Sequence, residues 1–113
     1  MKRSLELTAE LLRLYSRRGN YHSDPDAAAD IGYERLVAQG MQVAGPAYGL
    51  LLDAWGEEFL AHGTLTLKFV GMVTEGETVE ATVEDADGDA SITVECGDRT
   101  AVVGNASLMA VDA

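Results

Sequence analysis

Residues 41–61 read MQVAGPAYGLLLDAWGEEFLA and form the longest segment of the chain that lacks the alternation of a strand. The first half of this segment is apolar on every face of a helix, and a helix of that kind is buried all round. Gly45, Pro46 and Gly49 are poor helix formers, so we expect distorted first turns, although small residues also permit close approach to a sheet. The segment therefore predicts a long central helix in the core.

An alternating pattern replaces the helical one after Gly63. Apolar residues occupy one face of four successive strands, at about residues 65–69, 79–83, 92–96 and 100–111. Asp87-Gly88 predicts the hairpin turn between the second and third strands, and Gly104 predicts a bulge in the fourth. With a short first strand near residues 4–7, the sequence predicts an α+β fold in which a four-strand antiparallel meander follows the central helix.

Two shorter helices precede the central one. Thr8 is a suitable N-cap for a helix over about residues 9–16. Asp24 followed by Pro25 gives a second start signal, a capping carboxylate and then proline in the first turn, for a helix that ends at Gly32.

Composition and charge narrow the class of protein. The 113 residues carry 47% apolar side chains, which suits one globular domain over residues 1–113. The net charge of −11 argues against a nucleic-acid partner, and no segment has the length and apolarity of a membrane span, so we expect a cytoplasmic protein. Cys96 is the only cysteine and is expected to pack in the core. One cysteine and two distant histidines predict neither a metal site nor a cofactor.

Positive charge is concentrated at the start of the chain. Residues 1–22 carry a net charge of +3, from Lys2, Arg3, Arg13, Arg17 and Arg18 against Glu6 and Glu10. This distribution has two interpretations, a solvated helix face or a cationic rim for an anionic ligand such as a carboxylate or the phosphates of CoA or a carrier protein.

Two stretches resemble one known family. Residues 20–41 read NYHSDPDAAADIGYERLVAQGM and residues 67–79 read LKFVGMVTEGETV. Both resemble the MaoC-like hydratases and dehydratases, which include the R-specific enoyl-CoA hydratases. The signature of that family contains Asp, any residue, Asn, Pro, an apolar residue, His, any residue and Asp, followed later by Gly-Met at a helix start. The resemblance implies a hotdog fold, an antiparallel sheet wrapped around a long central helix.

The resemblance assigns roles to particular residues. His22 matches the catalytic histidine, Gly40 the glycine whose backbone N–H polarises the thioester, and Asn20 the motif asparagine if one residue is deleted. The position of the motif aspartate is occupied by Arg17 in an ungapped alignment and by Arg18 if the residue is deleted. Because a guanidinium keeps its proton, the resemblance implies an anion clamp in place of an acid–base group. Tyr48 falls where some members position substrate with a serine, and Asp24 is expected to be a helix cap.

The implied activity is that of a lyase, which hydrates or dehydrates a small acyl or polyketide thioester of CoA or acyl-carrier protein, in fatty acid or polyketide metabolism. Alternatives are a specialised biosynthetic isomerase or cyclase, and a non-catalytic protein that binds an acyl ligand or a partner. A hotdog thioesterase would use an acidic residue of the central helix, with Asp53 and Glu57 as candidates. A homodimer is expected, because pairing covers an exposed sheet edge and a thin core.

Overall fold

The computed structural model describes residues 1–16 and 19–108. Within these residues the strands are β1 (Lys2–Glu6), β2 (Gly63–Phe69), β3 (Thr78–Ala86), β4 (Asp89–Cys96) and β5 (Arg99–Leu108). The helices are α1 (Ala9–Tyr15), α2 (Pro25–Asp30), α3 (Gly40–Val43), α4 (Gly45–Trp55) and α5 (Glu57–His62). The strands form one antiparallel sheet in the order β1-β3-β4-β5-β2.

The position of β2 differs from the predicted four-strand meander. Only β3, β4 and β5 form a meander, whereas β2 pairs with β5 along its whole length, from Gly63 opposite Leu108 to Phe69 opposite Val102. The segment between β2 and β3 is not a tight turn, because part of it pairs with the extended segment at residues 36–38. The predicted pairing of β2 with β3 is therefore wrong.

The predicted bulge is also misplaced. The ladder shifts register between the pairs Val94–Val102 and Glu95–Thr100, so the extra residue of β5 is Ala101 and not Gly104. Gly104 has a different role, since a Cβ atom there would lie 2.2 Å from the backbone oxygen of Thr66 on β2. The glycine permits the close approach of two neighbouring strands.

The central helical segment is divided into three pieces. It breaks at Ala44, just before Pro46, and again at Gly56, whose φ of 59° lies in the left-handed region. One face of α4 is buried and packs on β1 and β3; its buried residues are Pro46, Ala47, Leu50 and Leu51. Gly45 is exposed and Met41 half-exposed, so the expected burial on all faces is wrong for the single chain. No helix in residues 1–16 and 19–108 is long and apolar enough to cross a membrane.

The predicted caps of the first two helices are confirmed. The hydroxyl of Thr8 accepts a hydrogen bond from the Leu11 N–H at 3.2 Å, and the carboxylate of Asp24 accepts one from the Asp26 N–H at 2.9 Å. The Asp24 cap fixes the end of the loop that carries His22, where that loop enters α2.

A polar cluster joins β4 to the segment before β3. The Glu77 carboxylate accepts hydrogen bonds from the backbone N–H and hydroxyl of Thr74 and from the Cys96 thiol, and it pairs with Arg99. Burial raises the pKa of Glu77, but the hydrogen bonds and the charge of Arg99 together outweigh it and hold the pKa below its ordinary value. Burial, and then the neighbouring Glu77, raise the pKa of the Cys96 thiol, which favours its protonated form.

Candidate functional site

The loop between α1 and α2 presents His22 on a turn that Asn20 organises. The Asn20 side-chain oxygen accepts a hydrogen bond from the His22 backbone N–H at 2.9 Å and one from the Ser23 hydroxyl at 3.3 Å. The Asn20 backbone carbonyl accepts from the N–H groups of Ser23 and Asp24 at 3.0 and 2.8 Å. Asparagine suits this position because its short side chain bonds backbone groups two residues ahead. The structure thus brings the predicted residues Asn20 and His22 together.

A buried extended segment at residues 36–38 supports this loop. On one edge, the Ala38 N–H donates to the Val73 carbonyl, and the Leu36 carbonyl accepts from the Glu75 N–H, both at 2.8 Å. Backbone groups alternate along an extended chain, so those of Val37 face the opposite edge. There the Val37 N–H donates to the Tyr21 carbonyl at 3.2 Å, and the Val37 carbonyl lies 2.6 Å from Nδ1 of His22.

The contact with the Val37 carbonyl determines the tautomer of His22. A carbonyl oxygen only accepts hydrogen bonds, so Nδ1 must carry a proton and donate it. In the neutral imidazole the lone pair then lies on Nε2. Nε2 has no hydrogen-bond partner among residues 1–16 and 19–108. The half-buried ring therefore offers a basic nitrogen to a ligand.

Gly40 begins α3, three residues after Val37. A Cβ atom at this position would lie 2.8 Å from the ring of Phe69 at the end of β2, so the close approach of that ring favours glycine. The Gly40 N–H has no acceptor in the described part of the chain, as expected at the first position of a helix. The preceding Gln39 donates from Nε2 to the Ser16 hydroxyl at 3.1 Å and so links the helix start to the end of α1.

The remaining predicted ligand-binding residues lie elsewhere or outside the described structure. Tyr48 is half-buried on α4, and its ring packs edge-on against Phe59 with centroids 5.3 Å apart. Within the described residues Tyr48 makes no hydrogen bond or ring contact with the His22 loop. Arg17 and Arg18 lie outside the described residues.

Two of the basic side chains near the start of the chain, Lys2 and Arg3, form ion pairs. Lys2 lies 3.7 Å from a carboxylate oxygen of Glu80, and Arg3 pairs with Asp53 on α4. Asp53 is therefore engaged with Arg3, which weakens its candidacy as a thioesterase acid.

An open cleft of about 580 Å³ adjoins the histidine loop on the side of α1. Its walls are Glu10, Arg13, Leu14, Gly19, Ser23, Asp24 and Pro25. Arg13 spans it, with Nε donating to the Ser23 carbonyl at 3.4 Å. Because two carboxylates accompany Arg13, the described walls do not by themselves form a cationic site.

One group of this site, the Val37 carbonyl, has no signal in the sequence. Every residue has a backbone carbonyl, and only the fold decides which one meets a side chain. The Tyr21 ring was also not anticipated; its centroid lies 3.9 Å from that of the His22 ring.

Comparisons with known proteins identify the family and the fold. A family model described as MaoC like domain matches residues 3–105. No curated protein matches the chain in sequence. An (R)-hydratase from A. caviae involved in PHA biosynthesis is 25% identical, with a TM-score of 0.72 over 96% of this chain and 93% of that one.

Two further solved structures are similar in fold. The R-hydratase PhaJ1 of Pseudomonas aeruginosa is 18% identical, with a TM-score of 0.79 over 100% of this chain and 80% of its own. The HadBC (3R-hydroxyacyl-ACP dehydratase) complex of Mycobacterium tuberculosis is 19% identical, with a TM-score of 0.67 over 95% of this chain and 90% of that chain. These likenesses, with the family match, confirm the predicted hotdog fold.

Proposed function

Because the chain belongs to the family of MaoC-like domains, we propose that it hydrates or dehydrates a small acyl or polyketide thioester, with His22 as the acid–base group. The observation that carries the proposal is the hydrogen bond from Nδ1 to the Val37 carbonyl, which leaves the lone pair on Nε2. The similarity to the (R)-hydratase from A. caviae supports the same reaction class.

In the proposed hydration, Nε2 takes a proton from water as the water oxygen bonds to the β-carbon of the unsaturated thioester. The electron pair of the double bond moves onto the thioester oxygen, giving an enolate that the Gly40 N–H stabilises. The imidazolium then returns its proton to the α-carbon, and the net change is the addition of one water molecule. Asn20 acts by holding the His22 turn.

The two arginines and Tyr48 complete the proposal. In this scheme Arg17 or Arg18 binds an anionic or carbonyl group of the substrate, and Tyr48 contributes to substrate positioning. A single acid–base group in place of two costs on the order of 10² to 10⁴ in rate. Such a site therefore favours substrates with an acidic α-proton, such as β-keto or polyketide thioesters.

The proposed substrate is carried by CoA or acyl-carrier protein, and the proposed assembly is a homodimer in the cytoplasm, with residues 1–113 as one domain. The edge strand β2 supports dimerisation, since several apolar side chains at its end and nearby are about half exposed: Met41, Phe69, Val70 and Met72.

The test is a spectrophotometric assay with a short enoyl-CoA such as crotonyl-CoA. We expect His22→Ala to lower kcat by at least about 10²-fold, as loss of a general acid–base group does. His62→Ala is the matched control, because His62 is exposed at the end of α5 and should keep full activity. Equal rates for the wild type and His22→Ala would refute the hydratase proposal, and binding without consumption would favour the non-catalytic alternative.

A further inference from the structure

Tyr21 contacts His22 through both its ring and its position in the backbone. The ring centroids lie 3.9 Å apart with the planes inclined by 39°, and the Tyr33 ring lies 6.1 Å away from that of Tyr21. The Tyr21 carbonyl accepts a hydrogen bond from the Val37 N–H, and the Val37 carbonyl accepts one from Nδ1 of His22. Two consecutive residues of the loop, Tyr21 and His22, thus bind the backbone N–H and the backbone carbonyl of a single residue, Val37.

These contacts restrict the orientation of the imidazole. The Nδ1 hydrogen bond fixes one edge of the ring, but it still allows the ring to tilt about that bond. The Tyr21 ring, packed against the imidazole, removes this freedom. Nε2 is thereby held in one direction before any ligand binds, and reacting groups held in this way lose less entropy in the reaction.

The Tyr21 ring also lies close enough to attract an imidazolium that forms at His22 during turnover. The face of an aromatic ring is negative, and it attracts a cation within about 6 Å of its centroid. When Nε2 takes a proton during turnover, the positive imidazolium gains this attraction. An interaction that strengthens as the reaction proceeds accelerates the chemical step and does not merely tighten binding.

We propose that Tyr21 is a positioning residue, which orients His22 and stabilises its protonated form during turnover. This inference rests on the proposed function. The role of Tyr21 requires its aromatic ring and not its hydroxyl group, which donates no hydrogen bond within the described part of the chain.

The test compares Tyr21→Phe, which keeps the ring, with Tyr21→Leu and Tyr21→Met, which remove it. Tyr21 is 37% exposed, so the non-aromatic variants should fold, and a thermal melt checks each one. We expect Tyr21→Phe to retain kcat within about twofold. Tyr21→Leu and Tyr21→Met should lower kcat by about 10- to 100-fold, with KM changed by less than about threefold.

A measurement that needs no turnover accompanies the kinetics. Ring currents from Tyr21 shift the NMR resonances of the His22 imidazole protons, so these resonances should move in Tyr21→Leu and stay nearly unchanged in Tyr21→Phe. If the rate depends on His22 but Tyr21→Leu leaves it unchanged, this inference is overturned and the proposed function is not. Equal losses in Tyr21→Phe and Tyr21→Leu also overturn it, because they assign the effect to the hydroxyl. A wild-type rate no higher than that of His22→Ala overturns the proposed function and this inference with it.

Discussion

Replacement of Asn20 by alanine is expected to destabilise the protein by about 1–2 kcal/mol. The change removes the acceptor for the His22 N–H at 2.9 Å and for the Ser23 hydroxyl at 3.3 Å. An intramolecular hydrogen bond contributes about 0.5–1.5 kcal/mol net. The bond to the hydroxyl is the longer of the two and lies in a half-buried loop, so its contribution falls at the low end.

Urea unfolding and a thermal melt measure this loss. A domain of this size should lose about 4 °C in Tm for each kcal/mol. Asn20→Asp is the matched control, since aspartate has nearly the same shape and keeps an oxygen at the accepting position, and it should lie within about 0.5 kcal/mol of the wild type. The kcat of Asn20→Ala should also fall, because the turn that presents His22 is loosened. An Asn20→Ala protein as stable as the wild type, or an Asn20→Asp protein as unstable as Asn20→Ala, would show that the side-chain oxygen does not hold the turn.

Two further predictions concern stability. Because the pKa of Glu77 is lowered from 4.5 in the folded protein, its contribution to stability is complete above that pH and is lost as the pH falls through the lowered value. The difference in unfolding free energy between the wild type and Glu77→Gln should therefore shrink on acidification below about pH 4.5, and a constant difference contradicts the assignment. Gly104→Ala should cost about 1–3 kcal/mol, since its Cβ would meet the Thr66 backbone oxygen on the paired strand. Gly45→Ala is the control for that melt, because no atom lies within 4 Å of its added Cβ and it should be neutral or stabilising.

Local features of the fold were predictable because a few neighbouring residues determine them. The Asp87-Gly88 turn has φ values of 52° and 86°, as this pair favours in a two-residue hairpin. The caps at Thr8 and Asp24 also depend on groups within three residues. The pairing of β2 with β5 joins residues far apart in the chain, and an alternating pattern specifies which face of a strand is buried but not which strand lies beside it.

The same distinction between local and long-range contacts applies to the site. Asn20 and His22 were predicted together, and a turn of four residues brings them together. The partner of the imidazole is a backbone carbonyl 15 positions away, and a sequence contains no signal for it. Tyr21 and His22 are adjacent in sequence, but the side chains of adjacent residues usually point apart. Their rings meet because the loop bends, and the sequence does not predict that bend.

The groups that orient His22 matter for the proposed replacement of the motif aspartate by arginine. His22 is oriented by the Val37 carbonyl, the Asn20 turn and the Tyr21 ring, none of which involves a carboxylate. In the proposed scheme, loss of the motif aspartate therefore leaves the placement of Nε2 intact and removes only the second acid–base group. No carboxylate bonds the His22 ring within the described residues, so in the proposed reaction the imidazolium has no fixed counter-ion there. One nitrogen that both takes and returns the proton is the chemistry that we expect to remain when the second group is absent.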